Sequence, residues 1–341
     1  GGDIIFEDIN ALIVTDCSFK IDSLELDNCG SISSFYTNTF EGNSGYLATN
    51  AGTGAWYYLN GNYYDLVDME IAVKSTGSYI RTADIASGTD LSEVYTGNLT
   101  LTVASTSYIY LSASASANTE IKGDLTINYN TANRAYAGIG GTIKFTGTAD
   151  QSITQTGTQI LQGQKWEVDN ASGQLILNDQ VKILTDMTFT NGVVSTSSGN
   201  ELYFSNTTST ATGASNSSYV NGPVIKRFAS AGSFTYPVGD SAFYAPITAS
   251  AVSASNTEFT AEYFNSDPKL TYGESYEVGI DHISNAEYWT LDRTSGLGNA
   301  KVTLSWKDER HGVGGVTDMP TLQLTRYNGT DWVEHASSTS G

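Results

Sequence analysis

GNLTLTV (97–103) and GDLTINY (123–129) repeat one pattern 26 positions apart. In both, Gly followed by Asn or Asp precedes an alternation of apolar residues with Thr or Asn. Alternation at period two puts one side of a strand into a core and the other into solvent, and the leading pair is a turn former. GTIKF (141–145) follows 18 positions after Gly123. DMEIAVKS (68–75), SYIYLSAS (107–114), QLILNDQ (174–180), VKILTDMTFTNG (181–192) and NELYFSN (200–206) are pulses of the same make. Strands this short, recurring at roughly 20 residues, mark a solenoid. One coil cannot bury its inward side chains alone, so coils stack at about 4.8 Å, inward Leu, Ile, Val and Phe form a column, and outward Thr and Asn form ladders. Two antiparallel sandwiches joined by hairpins would show a similar spacing and are the rival reading.

Three of the five prolines fall in SSYVNGPVIKRFASAGSFTYPVGDSAFYAP (217–246). Proline cannot donate to a central ladder, so their clustering marks a joint between two sheet systems. Beyond it SFTYPVG, APITASAVS, EFTAEYF, EYWTLDR, AKVTLSWKD and TLQLTRYNGTDWVEH are longer runs with cleaner alternation. Asn328-Gly329 between LQLTRY and TDWVEH is a hairpin signal. The expected fold class is therefore all-β: a right-handed parallel β-helix (solenoid) over residues 1–218, followed by an antiparallel β-sandwich over 219–341.

Charge narrows the function. With 36 acidic and 16 basic residues the net charge is −20, which disfavours nucleic acid and anionic lipid and gives a loose attraction for divalent cations. No apolar run is long enough for a membrane-spanning helix. The chain begins at Gly1 and stops inside HASSTSG, and it is expected to be a segment of something longer. Cys17 and Cys29 are close enough in sequence for a disulfide closing a short loop, with buried thiols or a metal site as the alternatives. GAWYYLNGNYYDL (54–66) reads as two runs about a tight Asn60-Gly61 hairpin. Tyr57, Tyr58, Tyr63 and Tyr64 would then send one ring of each pair outward, either as packing or as a platform for sugar stacking.

Catalytic patterns are thin. A polysaccharide-active β-helix needs convergent carboxylates, and the candidates are Asp150, Lys165, Glu167, Asp169, Asp179, Lys182 and Asp186. These are scattered and sit beside turn residues, which favours solvated turn acids. His282, His311 and His335 form no nucleophile or zinc motif. Calcium is weighed at Asp308, Glu309 and Asp318 and at Asp267 and Glu274, although neither place has the spacing of a known loop. No catalytic, cofactor or metal residue is assigned, and the chain is expected not to be an enzyme.

TGTADQSITQTGTQILQGQKWEVDNASGQLILNDQVKILTDMTFTNGVVST (146–196) resembles the repeated β-coil region of large secreted surface proteins of Bacteroidota. SSYVNGPVIKRF, SFTYPVGDSAFYAPITASA and EYWTLDRTSGLGNAKVTLSWKD resemble the segment that follows it there. The likeness covers roughly residues 120–335 and rests on Gly222-Pro223, Pro237-Val238-Gly239, Tyr244, Pro246, Tyr288-Trp289 and Trp306. It implies export by the type IX route and an extracellular, cell-surface location. It also implies O-glycans on Asp-Ser motifs, matched here by Ser23 and Ser241. The function expected is that of a non-catalytic structural or adhesion protein presenting a rigid β rod. Its partners would be surface polysaccharide, other surface proteins or further copies of itself. A filament subunit and a polysaccharide-active enzyme are the alternatives.

Overall fold

In the computed structural model the protein is nearly all strand. The structure describes residues 3–7, 11–15, 17–20, 23–27, 32–49, 56–73, 79–83, 89, 91–103, 107–111, 114, 116–129, 136–137, 140–157, 160–311 and 322–336. Among them the helical elements are a single turn at Lys269–Tyr272 and a 3-10 turn at Asp308–Arg310.

The two copies of the quoted pattern lie side by side. Leu99 pairs with Leu125, Thr100 with Thr126 and Leu101 with Ile127, in parallel. Met69 precedes Leu99 in this column, and Ile153 and Leu177 follow Leu125. All five are buried, with Met69 the most exposed at 6%. Burying such a side chain stabilises by about 1.5–3 kcal/mol, and only the neighbouring coils can cover it. The leading glycines answer a separate demand. A Cβ on Gly123 would sit 2.4 Å from the carbonyl carbon of Gly97, and one on Gly97 would sit 2.1 Å from the Val67 oxygen. Coils approach backbone to backbone at this corner, and only glycine fits.

Each coil has three faces. The first holds the column just described. The second runs through Ile32–Tyr36, Trp56–Asn60, Tyr79–Thr82 and Tyr108–Leu111. It continues through residues 161–163 and 181–183 to Leu202–Phe204 and Val224–Phe228. The third carries an inward aromatic stack, Phe19, Phe40, Tyr64 and Tyr95, with successive ring centroids 5.2, 5.0 and 4.6 Å apart. Ile121, Phe145, Val168 and Phe189 extend that stack along the rod.

The Asn60-Gly61 hairpin is not formed. Trp56–Asn60 pairs with Ile32–Tyr36 and Tyr79–Thr82, whereas Tyr63–Val73 pairs with Thr39–Thr49 and Asn98–Val103. The pair is a corner between the second and third faces. Gly61 supplies its positive φ of 71°. Asn60 and Asn62 are buried and bond to the coils above and below, so the dipeptide fixes a left-handed backbone without choosing a hairpin partner. By contrast, the Asn328-Gly329 hairpin is present: Leu324–Tyr327 and Trp332–His335 pair antiparallel, and Gly329 has φ 104°.

The joint is a shared strand. Val224–Phe228 pairs in parallel with Leu202–Phe204 on one edge and antiparallel with Thr257–Phe264 on the other, with Tyr288–Ser295 beyond. Val220–Asn221 also still pairs in parallel with the coil before it, so solenoid pairing continues past position 218. A second antiparallel sheet of Phe234–Tyr236, Ile247–Ser250 and Lys301–Leu304 completes the sandwich. Phe228, Phe234, Tyr236 and Phe259 belong to one buried cluster with the rod interior, and Phe234 lies 4.9 Å from Phe204 of the last coils. Pro223, Pro237 and Pro246 each fall between strands at this joint, as expected.

Lys226 occupies the inward column between Phe204 and Phe259. Its Nζ donates to the Asn206 and Ser209 carbonyls and the Ser209 hydroxyl at 2.8, 2.7 and 2.9 Å. Burial lowers its pKa to about 8.

Candidate functional site

A perturbed acid sits inside the rod. Glu93 is buried at the corner where Asn38 and Asn62 occupy the preceding coils. The Asn62 backbone N–H and side-chain amide donate to Glu93 Oε1 at 3.0 and 2.9 Å, and Asn38 donates in turn to Asn62. The Tyr64 and Tyr95 hydroxyls lie beside the carboxyl. Burial raises its pKa to about 8 against the opposing effect of these hydrogen bonds. Burial raises both phenols well above their ordinary range, and the same carboxyl pushes them further up. A group this enclosed meets no substrate, so its chemistry is that of a protonated core residue.

The outward carboxylates are rungs of a ladder. Glu167 receives Lys144 at 2.8 Å and the Thr190 hydroxyl at 3.0 Å. Asp169 accepts from Asn191 at 2.7 Å and Asp186 from Thr210 at 2.5 Å. Asp150 accepts the Gln174 N–H at 3.0 Å and Asp179 the Gln155 N–H at 2.6 Å. Each bond joins one coil to the next. Lys165, Glu167 and Asp169 share the outward side of one strand, with Asp186 in register beside Lys165. Asp150 and Asp179 lie at other corners, and Lys182 rests 5.7 Å over the Tyr203 ring on the second face.

The second face departs from this Thr, Asn and Asp surface. Tyr79–Thr82 and Tyr108–Leu111 alternate strictly, with Ile80, Ile109 and Leu111 in the core and Tyr79, Arg81, Tyr108 and Tyr110 half-buried on the outside. Tyr79 lies 5.3 Å from Tyr108 and 6.3 Å from Tyr110, and Tyr108 lies 5.8 Å from Tyr110, centroid to centroid. The three planes agree within 6°, an offset-stacked arrangement. One coil back, the Arg81 guanidinium lies 6.0 Å from the Tyr58 ring centroid. Register places Arg81 between Tyr58 and Tyr110. Tyr58 thus joins an outward aromatic surface whose other members the sequence reading passed over. They stand 29 positions apart (79 and 108), in SYIRT and SYIYL, and register is what makes them neighbours.

The remaining candidates are dispersed. Tyr63 is 41% exposed on the third face, whereas Tyr64 is 2% exposed within the aromatic stack and is core. Tyr57 pairs in backbone register with Ile80. Cys17 is exposed and donates to the Thr15 carbonyl at 3.2 Å, and Cys29 lies outside the described residues. The backbone of Ser23 is in Ser23–Asp27. Ser241 is exposed at a hairpin tip, its hydroxyl donating to Asp240 at 3.0 Å. Asp267 and Glu274 flank Lys269 at 4.0 and 3.4 Å, and Glu309 meets Lys307 at 3.6 Å. Asp318 is outside the described residues. Among the described residues no three His, Cys, Asp or Glu gather as metal ligands.

Of the histidines, His311 holds the buried Glu287 at 2.9 Å, alongside Arg310 at 2.9 Å. His282 contacts the exposed Asp281, and His335 ends its strand. No protein-family model, curated protein or solved structure matches the chain.

Proposed function

We propose that this chain is a non-catalytic structural or adhesion protein of the cell exterior, a stiff β rod that makes many weak contacts along one face. The observation that carries the reading is the outward tyrosine surface of Tyr58, Tyr79, Tyr108 and Tyr110 with Arg81. It spans three successive coils, so a long ligand meets several contacts at once, and linked weak contacts multiply into useful avidity. The engagement of the outward carboxylates between coils supports the non-catalytic part. The likeness to secreted Bacteroidota surface proteins supports the location.

The test is a polysaccharide-binding assay on immobilised glycans, comparing the wild type with Tyr79→Ser/Tyr108→Ser/Tyr110→Ser. Retention of wild type on at least one polymer, lost in the triple variant, is the expected result. Equal retention of both proteins, or release of new reducing ends or unsaturated products, would sink it.

A further inference from the structure

An open, shallow groove runs along the corner between the third and first faces, away from the tyrosine surface. Glu41, Gly42, Asp65, Val67, Thr96 and Asn98 line it, and Tyr63 stands just outside it on the same strand as Asp65 and Val67. Large apolar side chains are seldom exposed on this rod. Among the described solenoid residues they are Tyr63 at 41%, Val67 at 60%, Leu91 at 40% and Ile160 at 37%. Three of these four lie together. Tyr63, Asp65 and Val67 follow one another on the outward side of Tyr63–Val73, and Leu91 packs over the Gly61 corner just before it. Three strands further along the same face, the outward positions are Thr142 and Lys144.

A carboxylate, Asp65, stands between Tyr63 and Val67 on this strand. Glu41 is in register with Asp65 on the next coil. Asp65 already accepts the Thr96 hydroxyl at 3.1 Å, and Asn98 donates to Asp68 at 2.9 Å. A carboxylate has about four acceptor sites, so each can still take hydroxyl donors. The ligand that suits this place has an apolar CH face for Val67 in the groove and Tyr63 beside it, and several hydroxyls for Glu41 and Asp65. It carries no negative charge, because two adjacent carboxylates on a chain of net charge −20 repel anions. We propose that this groove, together with the neighbouring Tyr63, binds adjacent rings of a neutral saccharide, with Tyr63 as the stacking surface and Asp65 and Glu41 as hydroxyl acceptors. The site does not rest on the second-face tyrosines.

Calorimetric titration with cellohexaose, mannohexaose and a galacturonic acid hexamer tests the assignment. At least one neutral hexamer should bind, at least tenfold more weakly to Tyr63→Ala and Asp65→Asn, and equally well to Val278→Ala, a change at a fully exposed position outside both surfaces. Val67→Asp alters an exposed side chain, keeps the wild-type circular dichroism spectrum and should weaken binding to the same degree. The uronate hexamer should not bind. Failure of both neutral hexamers, unchanged affinity in the Tyr63 and Asp65 variants, loss in Val278→Ala, or tight uronate binding would each overturn it. The first two outcomes leave the tyrosine surface untouched, so the two sites are told apart.

Discussion

In the solenoid, buried Glu93 has neutral neighbours, Asn62, Tyr64 and Tyr95, whereas in the sandwich buried Glu287 faces Arg310, His311 and the Tyr263 hydroxyl. The difference follows from topology. Parallel coils stack equivalent positions, so a side chain inside the rod meets mainly the residues of its own column, and a buried acid there must keep its proton. The antiparallel sandwich brings distant segments together. Glu287 and Arg310 come from different parts of the chain, and Arg310 is held further by the Tyr244 and Ser305 carbonyls at 3.2 and 2.6 Å and by the rings of Tyr263 and Trp289. Burial still raises the Glu287 pKa, but Arg310 and Tyr263 oppose it.

The comparison breaks hardest at Arg310. Arg310→Met leaves Glu287 buried with only His311 and the Tyr263 hydroxyl, and removing one partner of a buried pair costs about 3–5 kcal/mol. Denaturant unfolding should show that loss, and Arg310→Met/Glu287→Gln should recover much of it. A double variant no better than the single would mean the arginine acts by packing alone.

Glu93 gives the next largest effect, and it has a sign. Its folded pKa of about 8 lies above the unfolded value near 4.5. The folded chain therefore holds the extra proton between those values, and stability falls as pH rises through that window. Glu93→Gln copies the protonated form and should flatten this part of the profile, adding on the order of a few kcal/mol at pH 9 and little at pH 4. Parallel stability profiles for the two proteins would remove Glu93 from the account.

The smallest effect contrasts the turns. Solenoid corners take the left-handed backbone one residue at a time, at Thr37, Gly61 and Ala83, whereas the hairpin joining Gly239–Asp240 to Phe243–Tyr244 takes it twice running, at Ser241 and Ala242 with φ 52° and 72°. Ala242→Gly relieves a left-handed alanine and should stabilise by about 1 kcal/mol, read as a raised midpoint. No gain would show that the turn is unstrained.

What the sequence exposed and what it hid separate along the same line. The 97 and 123 repeats could be read because period two and a leading glycine are local signals, and stacking merely aligned them. The proline cluster marked the joint for an equally local reason. Asn60-Gly61 misled because a turn residue specifies its own φ and leaves strand pairing to the rest of the chain. Glu93, in LSEVYTG, looks like any polar turn residue until the coil closes over it. Tyr79 and Tyr108 became a surface only once register set them side by side. The groove at Asp65 is likewise a product of three coils meeting, with no stretch of sequence to announce it.

Val224–Phe228 has one further consequence. Because this strand is laced into both halves, there is no swivel between rod and head. Its ladder bonds point along the rod's length, so a sideways load that runs with the strand shears the whole row at once, while an axial load applied at one end of the strand opens it bond by bond.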